Sequence, residues 1–428
     1  MNRDILKLAV PALGALAIDP LLTLADTAFV ARLGVNELAA LGVDTAILGF
    51  AFFGFNFLAY VTTPLVAQAL GRDDRLGARR WVGDALTLAV GLGVLATLVL
   101  LVLAPWFVQI MGAGAEVSGP AVSYLRIRAL AAPAVLVVLA GHGAFRGYHD
   151  TRTPLVVAAV VNGINLILDP LLIFTVGWGL QGAAVATVLA QWVGAAVFMR
   201  LLLAREMVAR PESFASAVPS LLKLGRNGLL VTTRTAALLV AFTVAAAQAT
   251  RLGPASIAAH QVVVQVWLLA SMAADAFAIA GQVMVGDAVG RRDEPGIHSV
   301  TARLMTWGAG VGVLLLAAFW LGRGLLDSLA ADPTVGALSV EAGGVAAVMQ
   351  PIAAPLFVAD GIFLGLLALG VLVASTASGS AVALVLIFAT DLGHSLTGIW
   401  WALFAMVATR IAVFALAYRR SVIGALKS

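Results

Sequence analysis

Apolar runs of eighteen or more residues recur along the whole of this 428-residue chain. Each is long enough to cross roughly 30 Å of hydrocarbon as a helix. A β-barrel, the other spanning form, is built from short segments of alternating polarity, and these runs do not alternate. The chain is therefore expected to be an all-α polytopic membrane protein. Composition agrees, with 61% apolar residues, 11% charged residues and a mean hydropathy of +1.02. A soluble domain of this length would need far more charge.

Reading the runs between charged and Gly/Pro punctuation gives twelve transmembrane spans. They cover roughly 5–31, 36–70, 80–108, 119–146, 153–177 and 180–204, then 219–250, 255–289, 299–325, 336–365, 370–392 and 396–418. The second set repeats the first. Arg32-Leu33-Gly34 returns as Arg251-Leu252-Gly253, and Gly71-Arg72-Asp73 as Gly290-Arg291-Arg292-Asp293, both 219 residues on. Gly143-Ala144-Phe145-Arg146-Gly147 returns as Gly361-Ile362-Phe363-Leu364-Gly365 at an offset of 218. Six spans per half is an even number, so both halves enter the membrane from the same side. The expected architecture is two parallel six-helix repeats around a central cleft, the plan of a secondary transporter. The expected domains are an N-terminal six-helix bundle over 1–204, a cytoplasmic linker over 205–218 and a C-terminal six-helix bundle over 219–428. Arg205, Glu206, Arg210, Pro211 and Glu212 make that linker the longest polar stretch. Leu366 to Ser380 carries no charge where its first-half counterpart is basic, which blurs the boundary between spans ten and eleven.

The net charge of +4 does not point to nucleic acid, because the basic residues sit in short loops. Arg72, Arg75, Arg79 and Arg80 follow span two, Arg146 and Arg152 follow span four, and Arg291 and Arg292 follow span eight. By the positive-inside rule both termini are cytoplasmic, in a multi-pass protein expected in a bacterial or archaeal cytoplasmic (inner) membrane. The absence of cysteine excludes disulfides, thiolate metal sites and thiol catalysis. The first run contains Pro11, Asp19 and Asp26 without a small-residue cleavage site, so it reads as a helix that stays rather than a signal peptide.

An acid at the bilayer centre costs about 2.5–3.5 kcal/mol on insertion scales, so each one calls for an explanation. Asp19 and Asp26 are seven apart in span one, nearly on one helical face. Span five carries Asn162, Asn165 and Asp169, the last two four apart and adjacent on one face. Thr187 adds a hydroxyl in span six. Two carboxyls with amide and hydroxyl oxygens nearby can share a proton or hold a hard monovalent cation. A membrane Asp can also lie at an interface and hydrate itself, and for Asp19 and Asp44 that reading stands level with a functional one. Pro11 removes a ladder hydrogen bond and permits a bend in span one. In the second half Arg234 lies in span seven, Asp275 in span eight and Asp360 in span ten, the last at the repeat position of His142. Arg234 and Asp275 are expected to form a structural ion pair between neighbouring helices.

Taken in order, several segments resemble the multidrug and toxic compound extrusion (MATE) family and, within it, the DinF-like branch. They are Ala25-Asp26-Thr27 ahead of Arg32-Leu33-Gly34, the run Arg146 to Pro154, Asn165 to Pro170, Ile257-Ala258-Ala259-His260-Gln261, Asp360-Gly361-Ile362-Phe363 and Gly398-Ile399-Trp400-Trp401. The resemblance implies two six-helix bundles facing a cleft, and export of organic cations and other amphipathic compounds in exchange for protons or sodium. It implies Asp26, Asn165, Asp169 and Thr187 as the proton or cation coupling site, and Pro11 as the bending proline. It places Tyr124 and His142 where fourth-helix residues face that site, and matches Asp360 to a tenth-helix acid that other branches use for sodium. Those branches carry an acid in span seven where this chain has Arg234, which favours coupling in the amino-terminal half.

The expected function is a cation-coupled antiporter, with the proton favoured over sodium, that exports amphipathic cationic organic compounds by alternating access. Tyr124, His142, Asn162 and Asp360 are the expected substrate-cavity residues. Sodium at Asp26, Asn165, Asp169 and Thr187 is the alternative coupling ion, and no other metal or cofactor is expected. Beyond substrate and bilayer no partner is expected, nucleic acid included, and the protein is expected to be a monomer. The runner-up function is a lipid-linked precursor flippase, which would need several basic residues in its cavity where Arg234 is the clear mid-membrane candidate. An intramembrane prenyl transferase would need paired aspartate-rich motifs to hold magnesium on a diphosphate. Asp73-Asp74 is the only adjacent pair of aspartates, so no enzyme is expected.

Overall fold

Lipid-length helices make up nearly all of the computed structural model, whose described residues are 1–209, 214–328 and 332–427 without the side chains at 19 and 214–216. Asp19 and the linker residues Arg210, Pro211 and Glu212 lie outside the described residues. Helix α1 spans Asn2–Val30; α2 (Val35–Phe53) runs through a 3-10 turn into α3 (Phe57–Gly71) as one span. Then come α4 (Arg75–Ile110), α5 (Ala115–Ala129), α6 (Ala132–Gly147), α7 (Arg152–Pro170), which passes into a π-helical turn at Leu171–Thr175, and α8 (Gly179–Ala204). The second half is α9 (Phe214–Arg251), α10 (Pro254–Gly290), α11 (Glu294–Leu321), the short α12 (Arg323–Ser328), α13 (Pro333–Gly365), α14 (Leu369–Ala389) and α15 (Leu396–Lys427). Eleven helices are long and apolar enough to cross a membrane, and the bent pair α5–α6 makes a twelfth span. No strand occurs among the described residues.

The bend in that pair is 49°. Pro133 opens α6 and has no N–H to continue the ladder. The carbonyls freed at such a break must find donors, since hydrocarbon offers none. Thr97 Oγ1 donates to Ala129 O at 2.8 Å and Trp192 Nε1 to Leu130 O at 3.1 Å.

The duplication read in the sequence extends to the backbone. Asp73 and Arg292, at equivalent positions, both turn into the left-handed region at φ 56°. His149 (φ 62°) and Leu367 (φ 53°) do the same at the ends of α6 and α13. Asp74 caps α4 through Gly77 N at 2.7 Å, and Asp293 caps α11 through Gly296 N at 2.9 Å. The turn at Leu366–Ala368 sets the boundary between spans ten and eleven by backbone conformation, without charge.

Two compact units result, one of Val10–Gly228 and one of Met1–Ala9 with Leu229–Ser428. Thus α1 starts in the second unit and continues in the first, and α9 does the reverse. In the first unit α6 is the helix the others pack around, touching α3, α4 and α8; its core includes Leu41, Ile47 and Leu48 of α2, Leu100 of α4 and Leu125 of α5. In the second, α13 holds that place among α10, α11 and α15, and Ile5 and Leu8 are buried with Val285, Leu304 and Ile362. Small residues let these helices approach. A Cβ on Gly147 would stand 2.6 Å from Val66 Cβ, and one on its counterpart Gly365 would stand 3.0 Å from Val285 Cβ. Val66 and Val285 are themselves repeat equivalents.

Candidate functional site: two carboxyls joined by one amide

Helix α1 brings Asp26, and one face of α7 brings Asn165 and Asp169. Asn165 Nδ2 donates to Asp26 Oδ1 at 3.0 Å and to Asp169 Oδ2 at 2.9 Å. One amide thus bridges two acids that lie 143 residues apart in the chain. Asn165 and Asp169 are fully buried. Asn165 Oδ1 and Asp169 Oδ1 are buried acceptors that receive no hydrogen bond. Buried acceptors of this kind are costly to leave unfilled.

The amino end of α7 is fixed from outside the membrane span. Asp150 accepts from Arg152 N at 3.0 Å, Thr153 N at 2.9 Å and Thr153 Oγ1 at 2.6 Å, and pairs with Arg205 Nη1 at 2.8 Å. Partial burial works to raise its carboxyl. The bonds from Thr153 and Arg205 outweigh that and hold it below the ordinary carboxylate value.

The other predicted residues are placed as follows. Thr187 donates its hydroxyl to Ala183 O at 3.0 Å in its own helix and makes no hydrogen bond to either carboxyl. Asn162 donates to Ala158 O at 2.8 Å. Tyr124 is buried in the core of the first unit, and His142 packs against Phe198 with ring centroids 5.3 Å apart. Pro11 sits inside a continuous α1, two residues past the point where the helix leaves the second unit, and Pro20 follows it.

Asp360 belongs to a different arrangement. Arg410 Nη2 donates to its Oδ1 and Oδ2 at 2.8 and 2.9 Å, and Arg234 Nη2 bonds Oδ2 as well. All three side chains are nearly or fully buried. This carboxylate is committed to two guanidiniums, those of Arg234 and Arg410, rather than open to a cavity.

Two charged residues escaped the sequence reading. Arg410 and Arg128 are mid-membrane bases beside Arg234, and each stands inside an apolar run, the signal that could have found them. Asp44, for which an interfacial position was one of two readings, is completely buried on α2 with neither oxygen hydrogen-bonded. Among the described residues no group of three or more His, Cys, Asp or Glu is placed to hold a metal ion.

Twelve spans in two like-built units, with ionisable side chains gathered inside each, define a polytopic membrane protein of the transporter class. The MatE family model matches residues 11–171 and 234–389. The chain belongs to the MatE family, whose members are transporters. It is similar to Protein DETOXIFICATION 44, chloroplastic, of Arabidopsis thaliana, at 33% identity over 96% of this chain and 81% of that protein. It is also similar to DNA damage-inducible protein F of Escherichia coli, at 30% identity over 76% of this chain and 71% of that one, in keeping with the DinF-like branch. In fold it matches the Vibrio cholerae MATE transporter VcmN in the bent form, with a TM-score of 0.91 at 20% identity over 99% of this chain and 97% of that one.

These relatives correct one expectation. The proteins DETOXIFICATION 45 and 47 of the same plant are, like 44, chloroplastic by name. They point to a plant organelle membrane and overturn the bacterial or archaeal inner membrane read from composition and loop charge. Loop charge reports orientation and carries no information on which membrane receives the chain.

Proposed function

We propose that this protein exports amphipathic, cationic organic compounds in exchange for protons by alternating access, with Asp26, Asn165 and Asp169 as the coupling site. The observation that carries the proposal is the single amide bridging two acids while two buried oxygens beside it go unfilled. Two carboxyls so close cannot both ionise without repulsion, so the pair is suited to holding one proton. Loss of that proton gives the site negative charge and attracts a cationic substrate; its return weakens the hold. Such a difference in affinity is what lets a ligand shift a conformational equilibrium. Tyr124, His142 and Asn162 are the proposed substrate neighbours in this unit, and Pro11 the point at which α1 yields. The word detoxification in the relatives' names supports export of foreign compounds.

The test is ethidium uptake and proton release in proteoliposomes, in sodium-free buffer, for the wild type, Asp26→Asn and Asp169→Asn. Exchange that both changes abolish upholds the proposal, and exchange that survives both removes these acids from coupling. A requirement for added sodium, with sodium moving opposite to ethidium, replaces the proton by sodium. Absence of exchange under every condition, with movement of a lipid-linked diphosphate instead, favours the flippase.

A further inference from the structure

Helix α11 carries a stripe that its neighbours only partly cover. Arg303, Trp307, Gly310 and Leu314 follow one another at helical spacings of four, three and four, so they share one face. With Thr306, and with Asn2 from the start of α1, they line a groove of about 490 Å³ within the second unit. That lies in the range of about 300–1,000 Å³ found for ligand sites. Its side wall is fixed: Trp307 stacks on Phe277 with ring centroids 5.5 Å apart and donates through Nε1 to Asn2 Oδ1 at 3.4 Å. Its middle is open, because a Cβ on Gly310 would meet nothing within 4 Å, and Leu314 beyond it is 68% exposed. Arg303 stands at the head of the groove, about 13 Å along α11 from the end that follows the basic turn at Arg291 and Arg292. It is exposed, and among the described residues it forms no ion pair and no hydrogen bond. A guanidinium at that depth, facing hydrocarbon, needs a partner. Helical side chains lean toward the helix start, which aims Arg303 at the headgroup layer on the basic-loop side. Arg3 and Lys7, exposed on the first turns of α1, add positive charge at the same end.

We propose that this groove holds one anionic phospholipid from the leaflet on the basic-loop side, its phosphate on Arg303 and an acyl chain laid over Gly310 toward Leu314. A guanidinium meets a phosphate with two parallel N–H donors, and basic clefts between membrane helices suit such headgroups. The helical rise places Leu314 about 16 Å past Arg303, along the course of an acyl chain that runs from the headgroup toward the bilayer centre. Trp307 and Asn2 form the side wall that keeps the chain against α11. Gly310 is what opens the path, since any larger side chain there would fill the groove. The bound lipid braces the start of α1 against α11, and this attachment is independent of the exchange proposed for the first unit.

The test uses the purified full chain in mild detergent. Dioleoylphosphatidylglycerol and dioleoylphosphatidylcholine are added separately, and retained lipid is counted by native mass spectrometry. The wild type is expected to hold one phosphatidylglycerol about fivefold more tightly than phosphatidylcholine, the worth of one arginine near a headgroup. Arg303→Gln should lose that preference and leave phosphatidylcholine retention unchanged. Gly310→Leu should lose the retained lipid of either kind. Its thermal midpoint without lipid should equal or exceed that of the wild type, because the new side chain enters open space and leucine favours a helix over glycine. Arg323→Gln, just past the far end of α11 where the guanidinium lies over Trp320, should behave as the wild type. A wild type without headgroup preference, or a preference that survives Arg303→Gln, overturns the proposal and leaves Arg303 as a side chain that only reaches for water. A wild-type dimer that Gly310→Leu splits, with no headgroup preference, would make this face a contact between copies and overturn the lipid site as well.

Discussion

Asp360→Asn is expected to be among the most damaging single substitutions in the second unit, and its cost can be worked from the structure. The native cluster sets two guanidiniums on one carboxylate. The side chains of Arg410 and Arg234 are 3% and 13% exposed, so solvent screens neither well. Removing one partner of a buried ion pair costs about 3–5 kcal/mol, because the remaining charge is left uncompensated. Here two cations lose the anion they share and repel each other, which places the loss near the upper end, about 5 kcal/mol. Arg234→Met acts on the same cluster but leaves one cation on one carboxylate. It gives up a charge-assisted hydrogen bond of about 1.5–3 kcal/mol and relieves repulsion between the guanidiniums, so its net cost is smaller. Equilibrium unfolding in mixed micelles, followed by tryptophan fluorescence, measures both. A loss below about 1 kcal/mol for Asp360→Asn, or a larger loss for Arg234→Met, would refute the charge accounting.

Three further outcomes are expected. Gly361→Ala should destabilise by about 1–3 kcal/mol, because its new methyl would press on the backbone of Ala278, whereas Gly344→Ala on the same helix meets open space and should be neutral or better in the same unfolding assay. Leu367→Asn should stabilise by up to about 1 kcal/mol, since Leu367 holds a left-handed conformation that asparagine adopts more readily. Asp150 has a depressed carboxyl, so its stabilising contribution is complete above the ordinary carboxylate value and is lost as pH falls below about 4. Asp150→Asn should flatten that part of the acid limb of a stability–pH curve, and an unchanged limb would count against the role.

What was legible in the chain followed from rules that act along it. Hydrocarbon thickness and internal hydrogen bonding impose long apolar helices, so twelve spans could be read directly. Helical period put Asn165 and Asp169 on one face, and the structure joins them to Asp26. What was not legible depends on which neighbour a side chain meets. Asp44 has the same local sequence character as an interfacial acid, and only the packing of α2 shows that it is buried. Arg234 reaches Asp360, 126 residues away, a partner that no local pattern in the chain announces. The boundary at Leu366–Ala368 was blurred because loops were sought by charge, whereas this turn is made by one left-handed residue.

The two units repeat their packing and differ in their ions. Gly147 on Val66 and Gly365 on Val285 are the same contact twice, as are the aspartate caps of α4 and α11. The charged clusters do not repeat: the first unit joins Asp26 and Asp169 through Asn165, and the second gathers Arg234 and Arg410 around Asp360. A packing contact constrains both copies equally, because either copy fails if its helices cannot approach. An ionised group in a membrane costs stability wherever it stands, so it persists where it is paired or used. The first cluster leaves Asn165 Oδ1 and Asp169 Oδ1 without a hydrogen bond. The second cluster satisfies its one carboxylate twice over. This difference supports the coupling role proposed for the first cluster, and it makes the second a fixed cross-link between α9, α13 and α15. A variant that makes Asp360 neutral together with both Arg234 and Arg410 should therefore recover stability without touching proton exchange, and loss of exchange in such a folded triple variant would show that the division is wrong.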